Sequence, residues 1–271
     1  MRILISNDDG YLSPGLYLLY DAVRDLGETV IVSTEFPRSA TGREITFGKP
    51  LRFTETSFMG YKVYVTDGTP IDALHLAIEV LDFKPDIVLS GVNVGDNLSL
   101  QHIFYSGTIA VAIEAALMGV SAVAFSADIR EFSEFEDPKL KSIVEDIARK
   151  LVKYLNDLGM PQGVDVLSVN IPRSRNFRGC VRVVRAARLR WSAAYRAGTD
   201  PRGRKYYWLY GVPAEACEST DVTAFEKGCV TVTPLSIDLN VSSCVLESVK
   251  NLEQHLRSDA TSAASYKGLK K

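Results

Sequence analysis

Short apolar runs alternate along this chain with stretches whose apolar residues recur every three or four positions. Arg2–Ser6 reads as a buried strand, and Gly15–Asp25 as a helix with Leu16, Leu19, Tyr20 and Val23 on one face behind Pro14. Thr29–Ser33 is a second β-branched run, and Tyr61–Thr66 alternates as a third strand. Pro70–Leu81 returns to helical spacing through Ile71, Leu74, Ala77 and Ile78. Asp86–Ser90 predicts a strand, Thr108–Met118 a nearly all-apolar helix and Val120–Ser126 a strand. Leu140–Leu158 predicts a longer amphipathic helix, and Val164–Asn170 a further strand. Strand–helix–strand order of this kind gives a mostly parallel sheet with helices on both faces. Residues 1–172 are therefore expected to form a doubly wound, Rossmann-like three-layer α/β core.

Past Ile171-Pro172 the pattern changes. Val181–Trp191 interleaves Val, Ala and Leu with Arg, as a half-exposed strand would. Lys205–Leu209 and Cys229–Thr233 predict further strands, antiparallel by their spacing. Residues 173–245 thus read as a β-rich extension and oligomerisation arm. Val245–His255 regains helical spacing, giving a C-terminal helix over 246–262 and a frayed tail over 263–271.

Composition narrows the function. The 31 basic and 33 acidic side chains give a net charge of −2, which argues against stable binding of long nucleic acid. No apolar run approaches the ~18 residues of a membrane span. Asp8 and Asp9 stand where a secretion signal needs apolar residues, so a cytoplasmic protein is expected, without a membrane partner. The four cysteines (Cys180, Cys217, Cys229 and Cys244) contain no CxxC pair and no His at ligand spacing, so reduced thiols are expected rather than zinc. The near-neutral total hides a window, Arg173–Lys205, with ten Arg, one Lys and a single acid. Solvated strand faces explain most of those arginines, while contact with a subunit or a phosphate is the functional alternative.

In an open parallel sheet, ligands bind beyond the carboxyl ends of the strands. Four polar loops belong there: Asn7–Gly10, Arg38–Gly42, Gly91–Asn97 and Tyr105–Thr108. Asp8 and Asp9 are adjacent carboxylates leaving a buried strand, and they repel each other unless a cation or a proton intervenes. Mg²⁺ and Mn²⁺ favour oxygen donors of the kind that Ser39 and Asn93 add. A plain Asp-Gly hairpin turn is the alternative, but a helical pattern follows Gly10 instead of a second strand. Ser106-Gly107-Thr108, opening an apolar helix, reads either as a phosphate cradle or as an ordinary N-cap. No GxxxxGK[ST] and no GxGxxG after a strand is present. Aspartyl-phosphate chemistry uses DxD, and position 7 is Asn. His75 falls in a helix as packing, His255 on a surface helix, and His102 lies within reach of the loops.

These residues resemble the survival protein SurE nucleotidases. The resemblance is carried by Ile3–Gly10, Arg38–Gly42, Gly68–Asp72, Pro85–Asn93, Asn97-Leu98 and Tyr105–Thr108. Downstream it continues through Asp200–Gly203, Tyr207-Trp208, Thr220-Asp221 and Thr231–Leu235. It implies a metal-dependent phosphomonoesterase acting on nucleoside 5′- and 3′-monophosphates, with short polyphosphate as a further substrate. One divalent cation per subunit, Mg²⁺ or Mn²⁺, would be held by Asp8, Asp9, Ser39 and Asn93. The resemblance also implies a homodimer or tetramer held partly by the β-rich extension. Ser99-Leu100-Gln101-His102 replaces the usual Gly-x-Asp segment, so base preference is not carried over.

The mechanism expected is hydrolysis by a metal-activated water. Asn97, Ser106, Gly107 and Thr108 would hold phosphate oxygens, and Asp8 or Asp9 would serve as the catalytic base. Two rivals are a covalent aspartyl phosphatase on a similar core and an RNA-binding module using the arginine-rich window.

Overall fold

The computed structural model describes residues 1–215, 217–250, 252 and 256. Met1–Ile237 forms one compact unit and Asp238–Lys271 a second. The first unit runs β1 (Arg2–Ser6), α1 (Pro14–Val23), β2 (Glu28–Thr34), β3 (Phe53–Phe58), β4 (Tyr61–Thr66) and α2 (Pro70–Glu79). It continues with β5 (Ile87–Val94), α3 (Ser99–Tyr105), α4 (Gly107–Leu117), β6 (Ser121–Ala127), α5 (Pro138–Leu158) and β7 (Val166–Ile171). Then come β8 (Cys180–Val183), β9 (Trp191–Thr199), β10 (Lys205–Pro213), α6 (Asp221–Glu226) and β11 (Cys229–Leu235). In the second unit, α7 spans Ser243–Ser248.

A nine-stranded sheet in the order β3-β4-β2-β1-β5-β6-β7-β11-β8 divides the first unit. Its pairings are parallel except β3 with β4 and β7 with β11. The expected mostly parallel α/β fold is thus borne out. Strand side chains alternate between two apolar layers. Ile3 and Ile5 pack with Leu16 and Leu19 of α1 and with Ile143 and Val144 of α5. Leu4 packs with Leu74 of α2 and with Ile109 and Ala112 of α4. Burying each large aliphatic side chain contributes about 1.5–3 kcal/mol, which is why Ile3, Leu4 and Ile5 of β1 are apolar on both faces. The chain builds β2 and β4 on one side of β1, then crosses to build β5, β6 and β7 on the other. The carboxyl ends of β1 and β5 therefore flank a topological switch point.

Several expectations are corrected. The strand read over Val181–Trp191 ends as β8 at Val183; beyond it the Arg185 carbonyl accepts the Asp221 N–H and the Ala187 N–H donates to the Asp221 carboxylate instead of to a strand partner. Regular pairing resumes only at Trp191, antiparallel to β10. β11 is antiparallel to β7 but parallel to β8, so residues assigned to the extension continue the main sheet. Cys180 and Cys229, in register on β8 and β11, form a disulfide, so the four thiols are not all reduced. β3, α3 and α6 add to the expected elements; they are short or carry no sustained apolar stripe for periodicity to reveal. Most of the helix read over 246–262, and the tail over 263–271, lie outside the described residues. No single helix among the described residues is long and apolar enough to cross a membrane.

Candidate active site

At the end of β1 the chain turns through Asn7-Asp8-Asp9-Gly10. Asn7 shapes this turn from within: its Nδ2 donates to Gly10 O at 3.0 Å and its Oδ1 accepts from Ser33 Oγ at 2.6 Å. Gly10 has φ +84°, a left-handed conformation, and the chain passes into α1 rather than a hairpin partner. Asp8 and Asp9 are only 3% and 7% exposed. The Arg38 N–H donates to Asp8 O at 2.7 Å, which brings the Arg38–Gly42 loop against the pair.

The N-terminus of α4 holds Asp8. Its carboxylate accepts the Thr108 hydroxyl and faces the backbone N–H groups of Gly107 and Thr108. These otherwise unpaired N–H groups and the positive end of the helix favour a negative charge there. Gly107 is required by close approach: a Cβ would lie 2.7 Å from Asp8 Oδ2. Asp9 Oδ2 accepts the Val94 N–H at 3.0 Å, joining the first loop to the end of β5. Burial raises both carboxyls above the usual range; the hydrogen bonds oppose this at Asp8, and the charge of Asp8 adds to it at Asp9. Asn93 directs its Nδ2 to Val94 O and Gly95 O, leaving Oδ1 3.4 Å from Thr108 Oγ1.

A cavity of about 280 Å³ is lined by five of the predicted residues: Asp8, Ser39, Asn93, Asn97 and Ser106. Asn97 is fixed by its Nδ2 donating to Ser126 Oγ and by its N–H donating to Asn170 Oδ1, each at 2.8 Å. Ser106 Oγ accepts the Ile109 N–H and caps α4. Thr108 is fully buried and stands behind Asp8 rather than on the cavity wall. Among the described residues no group of three or more His, Cys, Asp or Glu is placed to hold a metal ion. The donor set is two carboxylates, an amide and a hydroxyl.

The far wall was only partly anticipated. His102, on α3 rather than in a loop, lines the cavity, as do Asp96 and Trp191. Burial pushes the Asp96 carboxyl up, but the His102 hydrogen bond and the Arg190 charge outweigh it and hold the group below its ordinary value. Asp221 accepts the N–H groups of Ser99 and Ala187, tying α3 to the segment that leads to Trp191. His75 is remote in role, bonded to Glu114 Oε1 at 2.9 Å. Nothing local in sequence marks Trp191, which reaches the cavity from a strand of the arm.

The sequence model of the family described as Survival protein SurE matches residues 3–193. The chain belongs to this family. A SurE relative from Thermofilum pendens, named 5′-nucleotidase SurE, is 46% identical over 238 residues, covering 88% of this chain and 91% of that protein. The protein of the same name from Hyperthermus butylicus is 43% identical over 260 residues, covering 93% and 92%. The crystal structure of the SurE protein from Aquifex aeolicus matches the fold with a TM-score of 0.77 at 34% identity, covering 93% of this chain and all of that one (100%).

Proposed function

We propose that this SurE-family chain is a divalent-metal-dependent 5′-nucleotidase that also accepts nucleoside 3′-monophosphates and short polyphosphate. One observation carries the metal reading. Asp8 and Asp9 are buried side by side, and among the described residues no Lys, Arg or His forms an ion pair with either. Burying like charges without compensation is costly, and a hard cation offsets it. The donors present are all oxygens, which suits Mg²⁺ or Mn²⁺: Asp8, Asp9, Ser39 and the Asn93 amide would hold one ion per subunit.

When bound, the cation supplies Lewis-acid charge to the phosphoryl group and acidifies the attacking water. The protein does the positioning. Thr108 and the α4 amides fix Asp8, Val94 fixes Asp9, and the Asn97 amide is locked by Ser126 with its oxygen side free to orient the substrate. Of the α4 cap, Ser106 lines the cavity beside Asp8 and would meet phosphate oxygens, while the first-turn amides are turned to Asp8 and to Ser106 itself. The aspartyl-phosphate route is disfavoured because Asn7 takes the place of the other acid and spends its amide on the turn itself.

The exposed arm, with Tyr195, Tyr207, Trp208 and Leu209 each more than half exposed, suits contact with a second copy in a dimer or tetramer. A cytoplasmic location completes the proposal. The test is phosphate release from 5′- and 3′-nucleotides by metal-stripped protein, with and without each divalent ion. Activity should require added metal and drop at least 100-fold, about 2.7 kcal/mol, in Asp8→Asn. Full turnover in EDTA by stripped protein would overturn it.

A further inference from the structure

We propose that Trp191 is the platform on which the substrate's nucleobase stacks, and that His102 is the residue that positions it. This rests on reading the cavity as a nucleoside monophosphate site. Trp191 and Asp8 line the same cavity of about 280 Å³, so a phosphate held near Asp8 leaves its aglycone on the Trp191 side.

The indole is held from several directions. Its Nε1–H donates to His102 Nε2 at 2.6 Å, and its backbone N–H donates to Gln101 Oε1 at 3.2 Å. The two rings meet edge-on, with centroids 6.2 Å apart and planes at 65°. On β10, Gly211 lies against the indole: a Cβ there would come within 2.7 Å of Cγ and Cδ2. His102 is itself set by Asp96, whose Oδ1 lies 3.3 Å from His102 Nδ1, and Asp96 is near Arg190 Nε at 3.7 Å. Because His102 Nε2 accepts from the indole, its proton sits on Nδ1, facing the Asp96 carboxylate. A partly buried aromatic ring locked on its edge needs no ordering when a flat ligand arrives.

The chemistry of the ligand follows. Both His102 nitrogens and the Trp191 N–H are engaged, and the Asn97 Nδ2 is taken by Ser126. These side chains offer the base a surface more than a set of free donors. Recognition is therefore by stacking, which every nucleobase supports and which grows with ring area. The substrate class is phosphate monoesters carrying an aromatic aglycone, tolerant of base identity, with purines ahead of pyrimidines. The segment Ser99–His102, which departs from the family pattern, supplies the positioning residue.

The experiment uses full-length protein in a Trp208→Phe background, where Trp191 is the single remaining indole of the two in the chain. Adenosine should quench Trp191 emission. With metal present, kcat/KM is compared for 5′-AMP and ribose 5-phosphate in the background protein and in Trp191→Leu, Trp191→Phe, His102→Leu and His102→Gln. The preference for AMP should fall roughly 5- to 150-fold in Trp191→Leu, the range spanned by base–aromatic stacking, mainly through KM. Trp191→Phe should keep most of the preference. His102→Leu should lose part of it, and His102→Gln, whose amide oxygen accepts the indole N–H, should restore it. An unchanged preference, equal losses on both substrates, or no quenching by adenosine while AMP is hydrolysed would overturn the assignment. Quenching without hydrolysis of any phosphate ester would instead overturn the nucleotidase reading and leave the platform standing.

Discussion

Opening the Cys180–Cys229 bond should cost the folded protein about 4 kcal/mol. The two cysteines are 49 residues apart. In the chain-entropy treatment, a closed loop of that length withholds about 14 cal/mol/K from the unfolded chain, or about 4 kcal/mol at 25 °C. Little else secures β8. It is a four-residue edge strand whose pairing is with β11, and its Val181 and Val183 are 46% and 73% exposed. For a domain of this size, each kcal/mol moves the melting temperature by about 2–4 °C, so the shift should be on the order of 8–16 °C. Calorimetry on oxidised protein, on protein held in strong reductant, and on Cys180→Ala measures it. The variant and the reduced protein should melt together, and reductant should add nothing further to the variant. Counting thiols by mass in non-reducing denaturant checks the bond directly. Four free thiols in native protein, or a shift below about 2 °C after confirmed reduction, would refute the reasoning.

Other outcomes test the site. Gly107→Ala places a Cβ 2.7 Å from Asp8 Oδ2, and displacing that carboxylate should lower kcat/KM roughly 100-fold with little loss of helix, read by kinetics beside circular dichroism. Asp221→Ala leaves the N–H groups of Ser99, Ala187 and Val222 without their acceptor, so denaturant unfolding should show a loss of about 3 kcal/mol or more. In EDTA, Asp9→Asn should stabilise the protein at about pH 8 and not at about pH 4. The folded carboxyl lies above its ordinary value of 3.8, so the wild type loses stability as pH rises from there through the folded value, while Asn does not titrate. Equal stabilisation at both pH values would show that desolvated charge is not the cause.

Much of the site was legible because it lies at strand ends. An apolar run closing on Asp8-Asp9 needs no partner to be noticed, and the rule that ligands gather at carboxyl ends brings Ser39, Asn93 and Ser106 to the same edge. Thr108, expected to hold phosphate, instead turns its buried hydroxyl to Asp8, a distinction that depends on which way one side chain points. The break after Val183 was hidden because Arg-Val alternation continues through a segment whose backbone bonds go to a distant carboxylate, Asp221.

By itself the sequence determined the layered core, since a period of two or of 3.6 residues is a local property of the chain. It also determined the acidic pair, since adjacent carboxylates after a buried strand are costly wherever that strand packs. Tertiary structure alone decided that Cys180 meets Cys229, that α4 turns its first N–H groups on Asp8, and that Trp191 from the arm closes the cavity against His102. Each of these joins residues dozens of positions apart, and only the packing of the whole sheet brings such partners within bonding distance.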